Sequence, residues 1–153
     1  MKLDTAVKIA EITSAVAVIV TLVILIYEVR DNTASNRALV YGQEMDRLNS
    51  LRFAELNNPD LTELSLVYRS ADLSELSEVQ TLRLRRYLGA QWSAYESAFF
   101  QYEVGHLGEA EWSRYDDTFC RQYDRAKAAD LWNDLTLSMT QQFSDFVVES
   151  CDT

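Results

Sequence analysis

Apolar residues are unevenly distributed along this 153-residue chain, with one unbroken run near the amino terminus and shorter helical stripes after it. The run over residues 12–27 carries no charged side chain, and only two threonines and a serine interrupt it. As an α-helix it covers about 24 Å, and extension to residues 9–29 gives about 31 Å, close to the hydrocarbon thickness of a bilayer. The pattern predicts one transmembrane helix within residues 1–30.

The residues that flank the run fit this interpretation. Lys8 and Arg30 can reach the two lipid–water interfaces, and Tyr27 lies where membrane proteins carry aromatic side chains. A signal peptide fits less well, because charged residues follow the run in place of a small-residue cleavage site. A buried core helix also fits less well, because a helix that is apolar on all sides needs more covering protein than this chain offers.

Small residues recur on one side of the predicted span at helical spacing. They are Ala6, Ala10, Thr13, Ala17 and Thr21. Because lipid tails provide no hydrophobic drive for helix association, close backbone approach along small side chains is the usual substitute. We therefore predict that this packing face contacts a second copy of the chain or another membrane protein.

The rest of the chain, residues 31–153, is predicted to fold as a small bundle of about five helices. No stretch alternates between apolar and polar residues with a period of two, so no sheet is expected. Apolar spacing indicates a helix over 36–57, either separated from the span by a break near Asn32 or continuous with it, and Asn58 followed by Pro59 marks the start of the next helix. The predicted fold class is therefore all-α, with a single N-terminal transmembrane helix ahead of the bundle.

The strongest helical pattern in the bundle begins at a capping box. Ser77 is placed to cap a helix, and Gln80, three residues later, can bond back to it. Apolar residues then recur every three or four positions until Gly105, a residue type favoured just after a helix end. These apolar residues are Leu84, Leu88, Trp92, Tyr95, Phe99 and Tyr102. Two further helices are predicted, one beginning near Trp112 and one over residues 128–150.

The net charge of the chain is −10, and it changes which partners are expected. Residues 1–30 hold three basic and three acidic side chains, so the whole excess of negative charge lies in residues 31–153. A domain this acidic repels phosphate backbones, so nucleic acid is not a predicted partner. The predicted partners are the lipid bilayer and either a second copy of the chain or another membrane protein.

No side-chain pattern predicts a catalytic, metal-binding or cofactor-binding site. Glu103 and His106 have the spacing of a helical metal-ligand pair, but Gly105 lies between them and the chain has no second histidine. Cys120 and Cys151 are too few for a disulfide framework and are either two free thiols or one bridge. The chain is therefore predicted to be non-enzymatic and to need no cofactor.

Several short motifs mark the junction after the span and the turns of the bundle. They are the junction residues Tyr27, Val29, Arg30, Asn32 and Thr33, and the segments 57–64, 76–80 and 105–112. Together they resemble a group of uncharacterised bacterial membrane proteins with one N-terminal span and a small helical domain. The resemblance implies a domain tethered to the bacterial inner membrane and implies no activity. Its charge pattern slightly favours the cytoplasmic over the periplasmic side, although Lys2, Lys8 and Glu28 depart from it.

Three functions agree with these patterns. The preferred hypothesis is a membrane-anchored, non-enzymatic interaction or assembly module that associates through its transmembrane helix. The alternative is a membrane-tethered ligand- or signal-sensing domain, with a pocket of several hundred Å³ lined by Trp92, Tyr95, Trp112 and Tyr115. A third hypothesis is a small oligomeric channel, or a channel regulator, with Glu11 near the pore mouth.

Overall fold

The computed structural model describes residues 2–70 and 72–152; within these ranges, the side chains of residues 2–7, 9, 10, 116 and 117 are not described. The helices are α1 (Lys2–Leu56), α2 (Pro59–Ser70), α3 (Glu78–Glu103), α4 (Glu109–Ala128), α5 (Trp132–Thr136) and α6 (Gln141–Cys151). No strand occurs within the two described ranges. The predicted all-α fold class, with a long apolar helix at the amino terminus, is confirmed.

The chain divides into two compact units, Met1–Leu39 and Val40–Thr153. Helix α1 supplies the described residues of the first unit and ends at Leu56, in the second. A single helix of this length can form because residues 2–56 contain no proline and only one glycine. The helix predicted over 36–57 is therefore the last part of α1 and not a separate element.

The first unit exposes the apolar run. Its large apolar side chains from Ile12 to Val29 are 46–65% exposed. Exposed aliphatic surface of this extent is unfavourable in water and marks a site of membrane or protein contact. By length and composition, α1 is the one helix in the described ranges that could cross a membrane.

The second unit has its own hydrophobic core, with α3 at its centre. Trp92 is completely buried, and its ring contacts those of Tyr95, Trp132 and Phe143 at centroid distances of 5.6, 5.1 and 6.2 Å. The predicted capping box opens α3, since the hydroxyl of Ser77 accepts a hydrogen bond from the backbone N–H of residue 80. The apolar stripe of α3 was thus predicted correctly from its spacing.

The prediction of one continuous helix over 128–150 is wrong. The segment forms α5 and α6, separated by a short link that ends at Thr140. Thr140 adopts an extended backbone conformation, and its hydroxyl accepts a hydrogen bond from the N–H of Phe143, so it caps a new helix. Hydroxyl side chains compete in this way with helix continuation. The residues predicted to face the core do so, since Leu135 and Phe143 are both buried.

Cys120 of α4 and Cys151 at the end of α6 form a disulfide bond, with their Cα atoms 5.2 Å apart. Two polar contacts lie beside it: Lys127 Nζ is 2.8 Å from Asp152 Oδ1, and the Tyr123 hydroxyl donates to Asp152 Oδ2 at 3.0 Å. These interactions hold the end of α6 against α4. Of the two states left open by the sequence, the structure contains the bridge.

Candidate ligand-binding cavity

A cavity of about 540 Å³ lies within the second unit, between the last turns of α1 and helices α2, α3 and α4. Its volume falls in the range of small-molecule binding sites. On each helix the lining side chains recur every three or four residues, because such positions share one helical face. The face of α4 consists of Arg114, Tyr115, Thr118, Gln122 and Arg125, and that of α1 of Met45, Leu48, Leu51, Arg52 and Glu55.

One part of the cavity wall is apolar. Met45, Leu48 and Leu51 contribute from α1, and Leu88 contributes from α3. Leu88 is a core residue, and both Met45 and Leu48 pack against the core. This part of the cavity can therefore bury the apolar body of a small molecule.

The charged residues of the lining are mostly cationic. Arg52, Arg69, Arg114 and Arg125 line the cavity, and among the described side chains of the lining the only carboxylate is that of Glu55. None of the four arginines forms a salt bridge with a carboxylate whose side chain is described. A net positive lining in a chain of net charge −10 is a local reversal of sign. It creates a site to which an anion is attracted.

Four tyrosines also line the cavity, and burial makes their hydroxyl groups harder to ionise. Burial raises the pKa of Tyr95 and of Tyr115 to about 12. Burial also raises the pKa values of Tyr68 and Tyr87, and at Tyr87 the hydrogen bond to Glu55 raises it further. Each cavity arginine opposes this rise in pKa at one tyrosine or more, whereas Glu44 adds to it at Tyr115. The tyrosines are therefore neutral hydrogen-bonding groups at physiological pH.

Two buried polar atoms of the lining have no hydrogen-bond partner within the described part of the chain. They are the hydroxyl of Tyr115, a residue only 2% exposed, and the side-chain oxygen Oε1 of Gln122. By contrast, the Tyr87 hydroxyl donates to Glu55 at 2.7 Å, and the Tyr68 hydroxyl donates to a backbone carbonyl at 3.2 Å. An unsatisfied buried polar group costs about 1–3 kcal/mol, and most are paired in native proteins. Both atoms have almost no exposed surface, so they lie behind the cavity wall and not on it.

Comparison of the chain with protein-family models, with curated proteins and with solved structures finds no match to any of them. The features that bear on function are therefore this cavity and the exposed apolar run of α1.

The four aromatic residues predicted to form a pocket do not all reach the cavity. Tyr95 and Tyr115 line it, but Trp92 and Trp112 do not. Both tryptophans are buried in the core, where the ring of Trp112 stacks on Tyr115 at a centroid distance of 5.8 Å. The bulky indole rings fill the space between helices. Tyrosine is amphipathic, so it can pack its ring in the core and still line a cavity.

The polar half of the lining was not predicted from the sequence. On α4, Arg114, Thr118, Gln122 and Arg125 step by four, four and three residues beside the apolar stripe. Such a polar stripe is the signal that could have indicated the cavity, but in sequence it has the same form as a solvated helix face.

The predicted packing face of α1 is only partly described. Thr13, Ala17 and Thr21 are exposed on the helix, whereas Ala6 and Ala10 lie outside the residues whose side chains are described. The Thr21 hydroxyl donates to the carbonyl oxygen of Ala17 at 2.9 Å. Because this hydrogen bond stays within the helix, Thr21 presents little unsatisfied polarity on a face that is otherwise small and apolar.

The spacing of Glu103 and His106 does not produce a metal site in the described part of the chain. His106 follows α3, and its Nδ1 atom lies 2.8 Å from Oε1 of Gln101. No group of three or more possible metal ligands occurs among the described side chains.

Proposed function

We propose that the chain is a membrane-anchored ligand-binding module. Helix α1 holds the protein in the bilayer, and the unit Val40–Thr153 binds a small molecule in the cavity between α1, α2, α3 and α4. The observation that carries the proposal is the cavity itself, a space of about 540 Å³ lined by arginines, by tyrosines and by an apolar wall. This is the ligand-sensing alternative of the sequence analysis, with a different set of lining residues.

The proposal places the second unit on the oxidising side of the membrane. Disulfide bonds persist in extracytoplasmic compartments, including the bacterial periplasm, and are rare in the reducing cytosol. The bond between Cys120 and Cys151 therefore supports a periplasmic domain. This reverses the slight cytoplasmic preference of the sequence analysis, which depended on a charge pattern that this chain follows only in part.

Filling the cavity is expected to abolish small-molecule binding. Thr118 lines the cavity from α4, and its replacement in Thr118→Phe adds an aromatic ring to that space. The full chain, reconstituted in lipid nanodiscs, is dialysed against the small-molecule extract of its host cells, and retained compounds are identified by mass spectrometry. The wild type is expected to retain at least one compound, and Thr118→Phe to retain it at least about tenfold less.

The matched control is Ser113→Phe, which adds an aromatic ring to an exposed position of the same helix, outside the cavity lining. This variant is expected to retain the same compounds as the wild type. Equal retention by all three proteins, or by none of them, would contradict a ligand-binding cavity.

The second candidate function is assembly through the transmembrane helix. It is favoured by the exposed small-residue face of Thr13, Ala17 and Thr21, and by the Thr21 hydroxyl that is satisfied within its own helix. A partner helix, from a second copy or from another membrane protein, can approach the backbone closely along such a face. This assembly is compatible with ligand binding, since the two use different units.

A leucine on the small-residue face is expected to prevent assembly. In Ala17→Leu the larger side chain separates the two backbones, so chemical crosslinking in native membranes should yield mainly monomer. Ala15→Leu makes the same change about 200° around the helix and should leave the crosslinked species unchanged. Monomers alone in the wild type, or equal crosslinking of both variants, would refute assembly through this face.

A further inference from the structure

We infer that the cavity selects a small organic anion, with an acidic group that pairs with its arginines, a hydrogen-bonding group and an apolar body. The inference rests on the proposed ligand-binding function and adds the chemical class of the ligand. It is carried by three independent features of the lining: its charge, its neutral polar side chains and its apolar wall.

The charge of the lining defines the first requirement. Arg52, Arg69, Arg114 and Arg125 outnumber the carboxylate of Glu55, which already accepts a hydrogen bond from the Tyr87 hydroxyl. Guanidinium groups bind carboxylates and phosphates through charge-assisted and often bidentate hydrogen bonds. The rest of the chain is strongly acidic, so it repels anions in general and makes this site a distinct one for them.

The neutral polar side chains of the lining define the second requirement. The Thr118 hydroxyl oxygen can accept from a ligand O–H or N–H group, and the side-chain amide N–H of Gln122 can donate to a ligand oxygen. Both residues lie on the α4 face that also carries Arg114 and Arg125. A ligand that spans this face therefore needs an acidic group and a neutral hydroxyl or amine donor.

The apolar wall defines the third requirement. One part of the wall is aliphatic and uncharged, and it is formed by Leu48, Leu51 and Leu88. A free inorganic anion would leave this surface in contact with water, whereas an organic body would cover it. The cavity volume of about 540 Å³ also exceeds what an inorganic anion fills.

The test compares a matched pair of probes, hydroxynaphthoate and its neutral carboxamide, hydroxynaphthamide. Both have the same ring system and the same hydroxyl donor; the carboxamide lacks the negative charge and carries amide N–H donors in place of one carboxylate oxygen. Binding to the full chain in nanodiscs is measured by equilibrium dialysis, with empty nanodiscs as the blank for partition into lipid. Hydroxynaphthoate is expected to bind at least about tenfold more tightly, and its affinity should fall as salt is added.

Arginine variants locate the effect in the cavity. The double variant Arg69→Gln with Arg125→Gln is expected to weaken hydroxynaphthoate binding about tenfold and to leave hydroxynaphthamide binding nearly unchanged. Arg86→Gln is the control, because Arg86 is an exposed arginine of α3 outside the cavity lining. It should bind both probes as the wild type does.

Each result decides between the two proposals. Equal binding of both probes, with no effect of the arginine substitutions, overturns the anion preference and leaves the ligand-binding function intact. Failure of both probes, extended to a panel of further acid and amide pairs, overturns ligand binding and the anion preference together. An equal effect of Arg86→Gln overturns the assignment of the anion to the cavity.

Discussion

Replacement of both cysteines, Cys120→Ser with Cys151→Ser, is expected to lower the free energy of unfolding by about 3–4 kcal/mol. The two residues are 31 positions apart, and a bridge across a loop of that length restricts the unfolded chain by about this amount. All three tryptophans of the chain lie in the second unit, so urea unfolding followed by tryptophan fluorescence reports on that unit alone. The measurement uses the full chain in nanodiscs.

The single variants distinguish a bridge from two packed thiols. If the bridge forms, each single variant, Cys120→Ser or Cys151→Ser, should lose nearly as much stability as the double variant does, because either substitution breaks the bond. Additive effects of the two single variants would show that no bridge contributes. A reductant should shift the wild type to the stability of the double variant and leave the double variant unchanged.

The same cysteines report the side of the membrane. In sealed right-side-out vesicles, a membrane-impermeant reductant followed by a membrane-impermeant maleimide should label both Cys120 and Cys151. Labelling only after the vesicles are lysed would place the second unit in the cytoplasm and contradict the proposed orientation.

Trp92→Ala is expected to be the most destabilising single substitution, at about 3–5 kcal/mol. The side chain is completely buried and contacts three aromatic rings of the core, so its removal leaves a cavity that close-packed neighbours fill only in part. Urea unfolding, followed by the fluorescence of the two remaining tryptophans, measures the loss. A decrease below about 1 kcal/mol would contradict the central position assigned to Trp92.

Two comparison variants complete this test, one at the same position and one at an exposed position. Trp92→Phe retains an aromatic ring and removes an indole N–H that has no partner within the described residues, so its loss should be much smaller. Leu137→Ala removes an apolar side chain that is 86% exposed and should change stability by no more than about 0.5 kcal/mol.

Local sequence patterns were sufficient to predict a helix where one physical effect dominated. The apolar run before residue 30 and the α3 stripe from Leu84 to Phe99 each repeat a single pattern, and both appear as expected. The break near Thr140 escaped prediction because apolar spacing continues across it, and only the hydroxyl cap reveals the new helix.

The cavity could not be predicted because it depends on which helices become neighbours. Arg69 of α2 and Arg125 of α4 are far apart in sequence, and each has the form of an ordinary surface arginine. Only tertiary packing brings both to one cavity. The same is true of the bridge between Cys120 and Cys151, since two cysteines in a sequence do not fix their distance.

Three of the four cavity arginines, Arg52, Arg69 and Arg114, are exposed and take no part in the hydrophobic core. Substitutions at exposed positions of this kind usually change stability by less than about 0.5 kcal/mol. Selection can therefore exchange these side chains one at a time while the aromatic core and the disulfide bond maintain the bundle. Proteins built on this scaffold would be free to diverge in the molecules they recognise without first acquiring new stabilising mutations.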